Sequence, residues 1–294
     1  MPPADTPAGS AVPRRVLGQH LRELRQQAGL TVKLAASLME WSEPKLWRIE
    51  TGQTALRVLD VQAMCAAYGA TPGLTRALAG LAAQTRADGW WRAYGGNIPD
   101  AFGIYRVLED VAYALAVYAP GQVPGLLRTE VYARTLIAST CSGGEEADRL
   151  VYDCLARRVL LTRPRSPMMM TVALDEALVR RPIGGPAVMA AQLRFLADLG
   201  GLPTVCLRVV PYSAGLHPGL VTGAFTLLDF PPSKRCPGED AAIVYASGLT
   251  GELHLDKPHE VQRYRDAHAA ILGCSLDDTA TQDLLLTAAK DLER

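Results

Sequence analysis

The residues best equipped for chemistry lie close together in Thr31–Gly52 (TVKLAASLMEWSEPKLWRIETG). Lys33, Lys45 and Arg48 supply positive charge that can meet phosphate, and an arginine fork can also read a guanine edge bidentately. Glu43 can accept from a cytosine amine, at the cost of a carboxylate near phosphates. Trp47 offers an apolar face to a thymine methyl or a sugar, or else serves packing or a dimer contact. Ser42 and Thr51 add hydroxyls, Pro44 lies beside them, and Gln53, Thr54 and Arg57 follow where a backbone could be touched. A surface salt bridge is the alternative for Arg48. Arg14 and Arg15 reach in from a tail or are simply solvated.

Elsewhere the chemistry is sparse. The five histidines (20, 217, 254, 259, 268) have no metal-ligand spacing, and the six cysteines (65, 141, 154, 206, 236, 274) form no CxxC pair. No GxSxG, HExxH or P-loop occurs. The expectation is therefore no catalytic residue, no metal and no cofactor. Tyr212, His217 and Pro218 sit in a strand-ending loop, either a pocket wall or a plain loop. Gly184-Gly185-Pro186 precedes a helix start with Arg180 and Arg181 nearby, so the site takes an anion or is an ordinary turn. Met168–Met170 reads as strand core.

The elements that must position the cations are short helices. Leu17, Leu21, Leu24 and Ala28 follow a helical spacing that Gly29 stops. Thr31 caps a second helix through Met39, and Ser42 opens a third that Gly52 ends. Pro44 disfavours helical backbone at Glu43, so the cap is either Ser42 or Glu43. Glu40 stands in the turn between these two helices, where a left-handed backbone would suit a side chain poorly. Leu46 and Ile49 turn inward, which turns Pro44, Trp47, Arg48 and Thr51 outward. Glu50 is expected to pair with Arg22 or Arg25. Helices near 58–68 and 72–86 complete a five-helix bundle.

These residues resemble the XRE helix-turn-helix family, through Leu30, Thr31, Ala35, Ala36, Met39, Ser42, Arg48, Ile49, Glu50 and Gly52. The resemblance implies a lambda-repressor-like head whose second helix of the pair enters the major groove. GWWRAY (89–94), YAPGQVPGLLRTEVYAR (118–134), RRPIGGPAVMAAQLRFL (180–196), LRVVPYSAGLHPGL (207–220) and YASGLTGELHLDKPHEVQRY (245–264) look like the uncharacterised domain that follows this head in many actinobacterial regulators. That likeness implies a role in development or antibiotic production, and pairing with a small, separately encoded protein.

Past a Gly- and aromatic-rich junction the pattern changes. Residues 104–118, 145–163, 186–199, 258–272 and 276–293 read as helices, and 168–174, 204–210, 221–230 and 241–247 as strands. The expected organisation is a disordered tail at 1–13, a helix-turn-helix domain at 14–86, a junction at 87–103, and at 104–294 an α+β domain with a mostly antiparallel sheet. Hydrophobic residues make up 49% of the 294 and the formal net charge is zero. Yet residues 1–80 hold nine Lys/Arg against six Asp/Glu, and the rest hold twenty-one against twenty-four. A local basic excess suits local phosphate contacts. With no apolar run of membrane-spanning length and no signal-like start, a cytoplasmic protein is expected.

The chain is expected to be a transcriptional regulator of double-stranded DNA, a homodimer because one head reads few bases, whose second domain binds a partner protein or ligand. An antitoxin-like member of a two-gene pair, or an enzyme with a DNA-binding head, are the alternatives.

Overall fold

The computed structural model describes residues 11–84, 101–140, 144–231, 242–248 and 251–294. The chain divides into two compact units. The first begins with α1 (Ala11–Gln27), α2 (Val32–Leu38), α3 (Glu43–Glu50), α4 (Val58–Ala67) and α5 (Pro72–Gln84). Helix α1 thus starts inside the stretch expected as tail, and the residues before Ala11 lie outside the described ones. Leu17, Leu21, Leu46, Ile49, Val61, Met64, Leu78 and Leu81 form the core, each at most 2% exposed.

The first four helices end alike. At each end, the residue after the helix cap takes a left-handed backbone: Gly29 (φ 69), Glu40 (φ 53), Gly52 (φ 71) and Gly69 (φ 73). The next amide reaches five residues back, as in Leu30 N to Arg25 O (3.0 Å) and Gln53 N to Arg48 O (2.8 Å). This pattern satisfies carbonyls that a helix end otherwise strands. Three ends use glycine, and Glu40 takes the same backbone at a steric cost.

The same unit holds two elements from later in the chain, α6 (Ala101–Val111) and the hairpin of β5 (Ala242–Gly248) and β6 (Gly251–Leu255). Helix α6 packs on α1 and α5: His20 Nε2 donates to the Val107 carbonyl at 2.8 Å, and Ile104 and Leu108 are buried. Tyr105 of α6 packs against Tyr245 of β5, the rings tilted by 40° with centroids 4.4 Å apart. The Tyr245 hydroxyl donates to Glu252 Oε1 at 2.6 Å. Most of the junction expected at 87–103 lies outside the described residues.

The second unit is a sheet with helices from its connections. Its strands are β1 (Ala114–Ala119), β2 (Met169–Asp175), β3 (Val205–Val210) and β4 (Phe225–Asp229), in the order β3-β2-β1-β4. Strands β3, β2 and β1 are parallel and β4 runs antiparallel to β1. The sheet is therefore mixed, which corrects the expectation of a mostly antiparallel one.

The cause is β1. Residues 104–118 are not one helix: α6 ends at Val111 and a strand follows within three residues. With β1 recognised, helices α7 (Glu130–Ala138) and α8 (Gly144–Ala156) connect β1 to β2, and α9 (Glu176–Arg180) and α10 (Pro186–Leu199) connect β2 to β3. Helical crossovers of this kind join parallel strands. Val172, Ala173 and Leu174 are consecutive and fully buried, as expected where both sheet faces are covered. Met168 and Met170 are core, but Met169 between them is 48% exposed, so the triplet is only partly core. Helices α11 (Gly219–Thr222), α12 (Pro258–Gly273) and α13 (Asp278–Asp291) complete the unit.

Candidate nucleic-acid interface

The site is built by α2, the turn after it, and α3. Thr31 caps α2, its hydroxyl accepting from Leu34 N at 3.2 Å. Ala35 and Ala36 are buried, and these small side chains allow α2 to pack on α3. Glu40 then reverses the chain, and Trp41 N donates to Ala36 O at 2.8 Å. Ser42 Oγ accepts from Lys45 N at 3.4 Å, so Ser42 is the cap and Glu43 the first helical residue. Pro44 falls in the first turn, where a missing N–H costs no hydrogen bond.

Helix α3 has two faces. Leu46, Ile49 and Glu50 are buried, whereas Glu43, Pro44, Trp47 and Arg48 are exposed, Trp47 by 41%. Lys33 is exposed in the first turn of α2, and Gln53, Thr54 and Arg57 are exposed between α3 and α4. The structure therefore places most of the sequence-derived set on an accessible surface. Thr51 differs: it is half-buried, and its hydroxyl donates to the Trp47 carbonyl at 2.8 Å. Arg14 and Arg15 belong to α1 rather than to a tail. Lys45 is half-buried, its ammonium 3.8 Å from the centroid of the Trp41 ring. Trp41 is not among the sequence-derived set.

Two features of α1 fix where α3 sits. Arg25 and Glu50 form a buried pair, Nε to Oε1 at 2.6 Å and Nη2 to Oε2 at 3.0 Å. The pairing expected with Arg22 or Arg25 is thus made by Arg25. Tyr68, at the end of α4, is buried and close enough to feel the Glu50 charge; burial and that charge push its pKa up to about 12. Gly18 was not anticipated: a Cβ there would lie 2.4 Å from the Ile49 carbonyl oxygen. Helix α1 therefore approaches the end of α3 more closely than any side chain permits.

In the second unit, three of the predicted residues, Arg180, Tyr212 and His217, gather around two adjacent carboxylates at the end of β2. Glu176 Oε1 accepts from Arg180 (3.1 Å to Nη2), and its Oε2 accepts from Tyr212 N at 2.8 Å. Asp175 Oδ2 accepts from the Tyr118 hydroxyl at 3.1 Å and lies 3.8 Å from His217 Nε2. His217 is buried and its Nδ1 accepts from Gly219 N, while Tyr212 is 62% exposed. Tyr212 and Arg180 are thus brought together by Glu176, with His217 on the neighbouring Asp175. Arg181 is exposed just past α9. Gly184 and Gly185 take positive φ, and no side chain caps α10. Asp175 and Glu176 were missed in the sequence. Nothing but their adjacency to a strand end marks them.

Among the described residues, no group of three or more His, Cys, Asp and Glu side chains is arranged to hold a metal ion, and no helix is long and apolar enough to cross a membrane. Residues 16–78 match the family described as a helix-turn-helix domain, and residues 102–287 the family described as a domain of unknown function, DUF5753. The second match begins at α6, which shares a compact unit with the helix-turn-helix. No curated protein matches the chain.

Proposed function

The chain belongs to the DUF5753 family and carries an XRE-like helix-turn-helix, and from that premise we propose that it is a cytoplasmic, sequence-specific regulator of transcription. It acts as a dimer on two-fold DNA sites, and its second unit binds a small partner protein or ligand that alters DNA affinity. No catalytic role is assigned to either unit.

The observation that carries the DNA part is the division of α3. Its inner face is fixed by Leu46, Ile49 and the Arg25–Glu50 pair, and its outer face presents Glu43, Pro44, Trp47 and Arg48. Lys33 on α2 and Arg57 before α4 add exposed cations on either side in sequence. Arg48 is the candidate for base or phosphate contact; Lys33 and Lys45 are candidates for phosphate. Support for binding in the second unit comes from the loop held by Glu176, where Tyr212 is 62% and Leu216 88% exposed. Exposed large apolar side chains on a hydrogen-bonded loop suit recognition.

Footprinting of the DNA upstream of the chain's own coding sequence tests this reading. Two protected half-sites, about one helical turn apart, are expected of a dimer. A single protected half-site contradicts the dimer, and no protection contradicts the regulator.

A further inference from the structure

We infer that Trp41 is a positioning residue for DNA binding: its ring face holds the Lys45 ammonium where a backbone phosphate meets it. The inference rests on the DNA-binding reading above.

The ammonium lies 3.8 Å from the ring centroid, well within the range of attraction between a cation and an aromatic face. The backbone fixes both partners. Trp41 N donates to Ala36 O, a bond available only because Glu40 takes the left-handed conformation. Lys45 N donates to Ser42 Oγ at the start of α3. Ring and ammonium are therefore set by the same turn that delivers α3.

The choice of an aromatic partner has a chemical consequence. A carboxylate would also hold Lys45, but it would cancel the charge that a phosphate needs. An uncharged ring leaves the full positive charge in place for a phosphate. A lysine seated in advance also loses less side-chain freedom on binding than one free in solvent. Phosphate contacts carry no base sequence, so the benefit applies to any duplex.

The test uses the full chain and two duplexes: the DNA upstream of its coding sequence, and a scrambled duplex of equal length. Affinity is measured across a range of salt concentrations. Trp41→Leu is expected to weaken binding to both duplexes by about two- to fivefold, and Trp41→Phe, which keeps a ring, by less. Lys45→Met should lower the steepness of the salt dependence by about one phosphate contact. In the Lys45→Met background, Trp41→Leu should cost nothing further. Trp41→Met replaces the leucine variant in the same cycle if that variant unfolds.

An equal loss from Trp41→Leu in both backgrounds means that the ring serves only the fold, and overturns the inference. So does an unchanged salt dependence in Lys45→Met, or a Trp41→Phe variant as weak as Trp41→Leu. If the wild-type chain binds neither duplex, the DNA-binding reading itself fails. If it binds and loses affinity on Arg48→Ala but shows no coupling between Trp41 and Lys45, only the inference fails.

Discussion

Arg25 and Glu50, one near the end of α1 and the other the last residue of α3, meet in a two-pronged ion pair at 2.6 and 3.0 Å, with side chains only 7% and 5% exposed. A third guanidinium nitrogen, Nη1, donates to the Leu30 carbonyl at 2.7 Å. One side chain thus ties the first helix, the turn into α2 and the helix that carries Arg48. The geometry uses the planar fork that distinguishes arginine from lysine.

Arg25→Ala leaves a buried carboxylate without its partner. Urea unfolding is expected to show a loss of roughly 3–5 kcal/mol. Replacing both partners by apolar residues, as in Arg25→Met with Glu50→Leu, should cost less than the single change. A double variant as unstable as Arg25→Ala would mean that the lost packing, not the orphaned charge, sets the penalty.

Glu40 occupies a left-handed position (φ 53) that glycine fills at the ends of α1, α3 and α4. Relief of that strain should make Glu40→Gly more stable by about 1 kcal/mol, less the entropy that glycine adds to the unfolded chain. The midpoint of thermal unfolding should rise. A fall would show that the Glu40 side chain contributes more than its backbone costs.

Much of this head is legible in the sequence, because helix periodicity, caps and stops are all local. The caps at Thr31 and Ser42 and the inward face of Leu46 and Ile49 follow from helical spacing, whereas the turn at Glu40 is marked by the family resemblance and the choice of Arg25 over Arg22 as the partner of Glu50 is settled only by the fold. The sheet is harder. ALAVYA of β1 contains three alanines and continues the apolar pattern of α6, so nothing local separates strand from helix. Parallel strands covered on both faces also lack the polar alternation that marks half-exposed ones. Long-range partnerships leave no local trace at all: His20 and Val107 lie 87 residues apart. Trp41 and Lys45 are four apart, but the helix begins between them, so helical spacing does not pair them. Glu176 is silent for a related reason: Tyr212, which it binds, lies 36 residues on.

His254 supplies a pH dependence. It is buried in the β5–β6 hairpin, and burial lowers its pKa to about 4. Because the unfolded histidine takes up its proton near pH 6.5, the unfolded chain is favoured as the pH falls from there towards 4; above that window this contribution is level. Glu252, 3.8 Å away, acts oppositely, since burial raises its pKa. The wild type should therefore lose about 2 kcal/mol more than His254→Asn between pH 7 and pH 5. Parallel pH profiles for the two proteins would contradict a buried neutral histidine.

Gly219 marks tight packing beside the Asp175 cluster. An added Cβ would lie 2.5 Å from Tyr118 Cζ and 2.8 Å from His217 Cε1. Gly219→Ala should cost about 1–3 kcal/mol through overpacking, and Tyr118→Leu should recover part of it. A neutral Gly219→Ala, read by urea unfolding, would mean that the start of α11 shifts freely.

The central claim, that the exposed cations of α2 and α3 bind DNA, is tested most directly by the double variant Lys33→Ala with Arg48→Ala. Its affinity for the DNA upstream of its own coding sequence is titrated by gel shift at fixed salt, with circular dichroism confirming the fold. Loss of binding in a folded variant is the predicted result, and affinity equal to that of the wild type would contradict the account.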